Sequence, residues 1–133
     1  MKKYILLFLI GITLVSCSND DDTTDIPTST KIIGNWSWIS SSGGIDGSIL
    51  TPTSTGYTQR LEITSDVIKY YFNNELDTQA SYTIELRESS IYNETREMII
   101  TNFEFRNIVE FRDGKLILIG DCNDCLTSEY VRE

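Results

Sequence analysis

Between Lys31 and the end of the chain, large apolar side chains return at alternate positions in one short stretch after another. No window holds the 3.6-residue spacing of an amphipathic helix. Trp36 and Trp38 alternate with small polar residues over 34–40, and Leu61 and Ile63 alternate with Arg60 and Glu62 over 57–64. Further strands are expected over 67–73, 78–87 (with Tyr82, Ile84 and Leu86 in phase), 98–105, 108–112, 115–120 and 126–132. Asn73-Asn74 marks one turn. Asp113-Gly114 marks the sharpest, because a type I′ hairpin needs positive φ at both central residues and this pair tolerates it. The segment 88–96 is polar and reads as a turn or an edge. The Gly, Ser and Thr-rich segment 41–56 reads as a long loop, with Ile45, Ile49 and Leu50 as points where it could be tied down. With no candidate helix to carry a crossover, about eight such strands form an antiparallel meander. A meander hides its edges best by curling into a small up-and-down barrel, so the fold class is all-β.

The N-terminus follows a different logic. Lys2 and Lys3 precede an apolar segment, 4–15, of about a dozen residues, the length of a signal peptide's apolar region and too short to span a bilayer. It ends in Leu14-Val15-Ser16-Cys17, which resembles a bacterial lipobox. The resemblance implies that residues 1–16 are removed, that Cys17 takes a diacylglycerol, and that acyl chains hold the protein on a membrane, each buried methylene contributing about 0.8 kcal/mol. Residues 17–30 are then a lipidated, disordered acidic tether, starting Ser18-Asn19-Asp20-Asp21-Asp22, and 31–133 the barrel domain. The acidic run is similar to the signal that sends Bacteroidota-type lipoproteins to the cell surface, and reads equally as a plain tether. The expected location is the bacterial outer membrane.

Loss of 1–16 removes two of eleven basic residues and none of twenty acidic ones, moving the net charge from −9 to −11. Nucleic acid is therefore not an expected partner, since phosphate binding rests on clustered Lys and Arg. The chain has no histidine, so there is no Ser-His or Cys-His nucleophile pair and no ready base near neutral pH. Glu62, Glu85, Glu104 and Glu110 sit on strands, and alternation places most of them on the solvated face. No catalytic residue, cofactor or metal site is expected. With Cys17 lipidated, Cys122 and Cys125 remain as a pair in an oxidising compartment. As the first and fourth residues of a hairpin turn they sit within about 7 Å, which suits a structural disulfide. A redox-active pair would want a helix N-terminus, and zinc would want four ligands.

Gly34-x-Trp36, Trp36-x-Trp38, Ser41-Ser42-Gly43-Gly44-Ile45, Thr51-Pro52-x-Ser54-Thr55-Gly56 and Tyr130-x-Arg132 together resemble the lipocalin-like domains of small bacterial lipoproteins. The resemblance implies that Trp36 plugs one end of the barrel, with Arg132 lying over its ring. It further implies a small apolar or amphiphilic ligand at the open end, with Trp38, Tyr57, Tyr70 and Tyr82 as contacts and the segment from Gly43 to Gly56 as rim or lid. Strands this short can fill their own interior, so a filled or shallow core is expected over a deep pocket. The alternative function is an interaction module of the cell envelope, with a filled barrel and an unidentified protein partner. Replacing Cys17 with Ala is expected to move the protein from the detergent phase to the aqueous phase in a two-phase detergent partition.

Overall fold

The computed structural model describes residues 26–133. The signal segment, Cys17 and the acidic run lie outside the described residues. The elements are α1 (Thr28–Lys31), β1 (Gly34–Gly43), β2 (Ser48–Leu50), α2 (Pro52–Thr55), β3 (Gln59–Ile63), β4 (Val67–Phe72), β5 (Glu75–Glu88), β6 (Thr95–Thr101), β7 (Arg106–Arg112), β8 (Lys115–Gly120) and β9 (Leu126–Arg132). From β3 to β9 each strand lies antiparallel to the next, and β9 pairs with β1 to close the circle. Along its other edge β1 pairs with β3 through Gly34–Ser37 and with β2 through Ser41–Gly43. Eight strands therefore close an antiparallel barrel, and β2 is a short arm outside the ring.

Hairpin chemistry explains the connections. Asn73 and Asn74 adopt φ of 48° and 66°, and Asp113 and Gly114 adopt 51° and 74°, the left-handed pair that a type I′ turn requires. The segment 41–56 is ordered: it makes the β1–β2 hairpin and then α2. Thr51 caps that helical turn through Ser54 in a reciprocal box, and Gly56 ends it at φ 77°. Leu50 packs on the core, whereas Ile45 and Ile49 stay exposed and tie nothing down.

The strands cross the barrel obliquely. The row of paired residues Trp36, Leu61, Tyr70 and Thr78 runs off the sheet at β5, because β5 meets β6 only from Tyr82 onward. Inward-facing residues make one cluster containing Trp36, Trp38, Leu61, Ile63, Ile68, Ile99, Val109, Leu116, Leu118 and Tyr130. A second cluster, Met98, Ile108, Ile117 and Ile119, lies on the outer face of β6–β8 and is packed by Ile91. The polar segment 88–96 is thus neither a simple turn nor a free edge, since its tip covers that outer cluster. The continuous run Leu116-Ile117-Leu118-Ile119 is buried on both faces for this reason.

One end of the barrel is plugged. Trp36 is fully buried and donates its indole N–H to the Ile32 carbonyl at 2.8 Å. The Arg132 guanidinium lies 4.2 Å from the Trp36 ring centroid and donates to the carbonyls of Ile33 and Lys31 at 2.9 and 2.6 Å. A cation on an indole face contributes about 0.5–2 kcal/mol, and here it also satisfies the carbonyls at the end of α1. That helical turn sits where the sequence suggested tether, so the ordered chain starts before Lys31. Gly34 passes beneath the guanidinium at φ 143°, where an added Cβ would meet Arg132 Nη1 at 2.3 Å. Gly34→Ala is expected to lower unfolding stability by about 1–3 kcal/mol in a urea titration, since both the backbone and the plug resist it.

Candidate functional site

The opposite end is open. A cavity of about 700 Å³ enters the barrel between the β3–β4–β5 wall, the β6–β7 turn at 102–105 and the β8–β9 turn. Its origin lies in the size of the inward residues. Around the plug they are Trp, Ile and Leu, while toward the mouth they are Thr78, Ala80, Thr101, Asn107 and Gly120. Leu61, Tyr70, Phe72, Phe103 and Phe105 supply the larger apolar lining. The β4–β5 hairpin also rises beyond the β6–β7 turn, leaving the first half of β5 without a partner on that side. The interior is therefore not filled throughout, which corrects the filled part of the expectation: large side chains pack around the plug, and small inward side chains leave a cavity toward the mouth.

Of the four aromatic residues expected at the ligand, Tyr70 lines the cavity, and burial pushes its phenol up from the ordinary value. Trp38 is buried in the inward cluster and does not line the cavity, donating its indole N–H to Ser41 Oγ at 2.8 Å and stacking on Tyr57 with centroids 5.6 Å apart. Tyr57 in turn meets Phe72 at 4.8 Å, so of this aromatic row it is Phe72 that reaches the lining. Tyr82 is on another part of the wall, donating its hydroxyl to the Thr64 carbonyl at 2.6 Å and lining a separate small groove. The segment from Gly43 to Gly56 contributes nothing to the lining and is neither rim nor lid of this cavity. Alternation identifies the face a residue is on, but not its height in a tilted barrel, and height separates these residues.

Phe103 and Phe105 did not stand out as contacts because 98–105 reads as one strand. In the structure β6 stops at Thr101, whose N–H bonds the Phe105 carbonyl at 3.1 Å, while the Glu104 N–H returns to Thr101 O at 2.9 Å. The tight turn leaves both phenyl rings more than half exposed at the mouth. The sequence signal was Asn102, a turn former set against the strand pattern.

The other wall of the mouth is the β8–β9 turn. Cys122 and Cys125 form a disulfide with Cα atoms 5.3 Å apart, and the turn closes with Cys125 N–H on the Cys122 carbonyl at 3.2 Å. Gly120 lies against this bridge, since a Cβ there would come within 2.5 Å of Cys125 Cβ. Next to it Asp121 has a fully buried side chain. Its Oδ1 accepts from Ser89 Oγ and Ser90 N–H, both at 2.8 Å, and its Oδ2 lies 3.6 Å from Arg106 Nη2, too far for a direct hydrogen bond. Asp121 therefore latches the segment that covers the outer cluster to the turn that frames the cavity.

The carboxylates weighed for chemistry are mostly held on the outer surface. Lys69 and Tyr71 hold the Glu62 carboxyl below its usual range, and Thr83 and Arg87 do the same for Glu85. Glu110 pairs with Arg96 and Arg112. Glu104 alone of the four lines the cavity. Among the described residues no three His, Cys, Asp or Glu side chains converge on a metal site.

Comparison with known protein families, with curated proteins and with solved structures finds no match to this chain. Fold and site together define a closed antiparallel β-barrel with one plugged end and one open, largely apolar cavity.

Burial raises the Asp121 pKa, but the hydrogen bonds from Ser89 and Ser90 and the charge of Arg106 outweigh it, so the value falls below the usual 3.8. A depressed carboxylate stabilises the fold above its unfolded value and loses that contribution as pH falls through its folded one. Asp121→Asn is expected to cost about 1.5–3 kcal/mol at neutral pH. Thermal unfolding should show the difference from the parent shrinking as the pH drops below about 3.8.

Proposed function

We propose that this chain is a lipocalin-like binding protein, tethered to a membrane through lipid on Cys17, that holds a small apolar or amphiphilic ligand in the open half of its barrel. The observation that supports the reading is the cavity: about 700 Å³ in volume and lined largely by apolar side chains. That volume falls within the roughly 300–1,000 Å³ typical of small-molecule sites. The lining joins an apolar wall to neutral polar groups in Gln59, Thr78, Thr101 and Asn107, with charged side chains among the residues around it. The plugged end, with Arg132 over Trp36, carries the feature that the lipocalin resemblance attaches to these two residues. The alternative of an interaction module required a filled barrel, and the open interior speaks against it.

A neutral solvatochromic dye such as Nile red is expected to gain fluorescence on binding one site per chain and to be displaced by 1-decanol. Ala80→Phe places a ring in the cavity wall and is expected to weaken dye binding by about tenfold or more, with the β-sheet circular dichroism unchanged. Dye binding unaffected by Ala80→Phe, or no displacement by decanol, would sink the reading.

A further inference from the structure

The mouth of the cavity is electrostatically lopsided. Its two cations are engaged: Arg106 faces Asp121 at 3.6 Å, and Arg60 lies 3.9 Å over the Tyr71 ring with its Nε 4.0 Å from Glu133. Its other two carboxylates, Asp77 on β5 and Glu104 in the β6–β7 turn, line the cavity and have no salt-bridge partner among the described residues. Glu104 stands between Phe103 and Phe105 in sequence, both exposed at the mouth. Carboxylates and phenyl faces share one preference, for a cation.

A second observation comes from the wall below. Thr101 lines the same cavity and is 4% exposed, yet its hydroxyl oxygen has no hydrogen-bond partner. A buried hydroxyl left without a partner is costly, and a bound polar group would gain this hydrogen bond once the hydroxyl turned toward the cavity. Backbone geometry singles out Glu104 as well. Of the five non-glycine residues at positive φ among the described residues, four are Asn or Asp, which tolerate that region, while Glu104 occupies it at 63°. Glycine would hold the same turn with less strain.

We propose that the ligand class is an amphiphilic amine: an apolar body in the cavity and a protonated amine at the mouth, facing Asp77 and Glu104. The inference rests on the cavity being a ligand site and adds the charge of the head. Apolar burial supplies affinity common to any alkyl ligand, and the unpaired carboxylates decide among heads of different charge.

The test compares three ten-carbon probes below their micelle thresholds, each displacing Nile red from the full chain: decylammonium, 1-decanol and decyl sulfate. Decylammonium is expected to bind about tenfold tighter than decyl sulfate, the size two partly exposed charge contacts can reach. The preference should shrink as salt is raised, because these contacts are screened. It should fall to about threefold or less in the double variant Asp77→Asn with Glu104→Gln. Glu104→Gly should separate function from fold, raising the urea midpoint while weakening the amine preference. Equal binding of all three probes overturns the amine assignment and leaves the cavity reading standing. Failure of all three to bind overturns both. A Glu104→Gly variant that keeps the full preference also overturns the assignment, since Glu104 would then not meet the head.

Discussion

The pairing of β9 with β1 is the constraint on which the molecule depends. Without it the two strands are free edges of a curled sheet, and the row that begins at Trp36 has nothing to close against. With it, the interior has two ends, and the chain treats them differently. At the plugged end the closing pair Trp36 and Arg132 does three things at once: it completes the ladder, stacks a cation on an indole and satisfies carbonyls at the end of α1. Gly34 allows the guanidinium to come close because it has no side chain to displace.

The open end follows from the same closure. In a tilted barrel the strands do not finish level, and here the β4–β5 hairpin overtops the tight β6–β7 turn. Where large inward residues give way to Thr, Ala, Asn and Gly, nothing fills the space between the walls. The disulfide and Asp121 hold in place the wall to which they belong, and the segment latched by Asp121 covers the outer cluster. Packing on both faces of β8 is therefore part of how the mouth is framed.

Much of the barrel was legible because it depends on local chemistry. Alternation gave the faces of β1 and β3, and Asp113-Gly114 gave its hairpin. The cysteine pair was legible because a four-residue turn brings its ends together whatever the rest of the chain does. The site was less legible. Trp38, Tyr57 and Tyr82 share the inward face or core with Tyr70, yet do not line the cavity. Phe103 and Phe105 looked like strand residues, and the segment 88–96 looked merely polar, because the contacts that define both lie far away in sequence.

What the amino-acid sequence determined by itself was the material: strands with one apolar face, turns at their ends, and an acidic chain without histidine. These properties need only neighbouring residues, since side-chain period and turn dihedrals are set within a few bonds. The tertiary structure alone decided where the interior would be solid and where it would be hollow. That outcome depends on the stagger between strands distant in the chain, which sets the inward residues that share a level and hence whether their volumes fill the space.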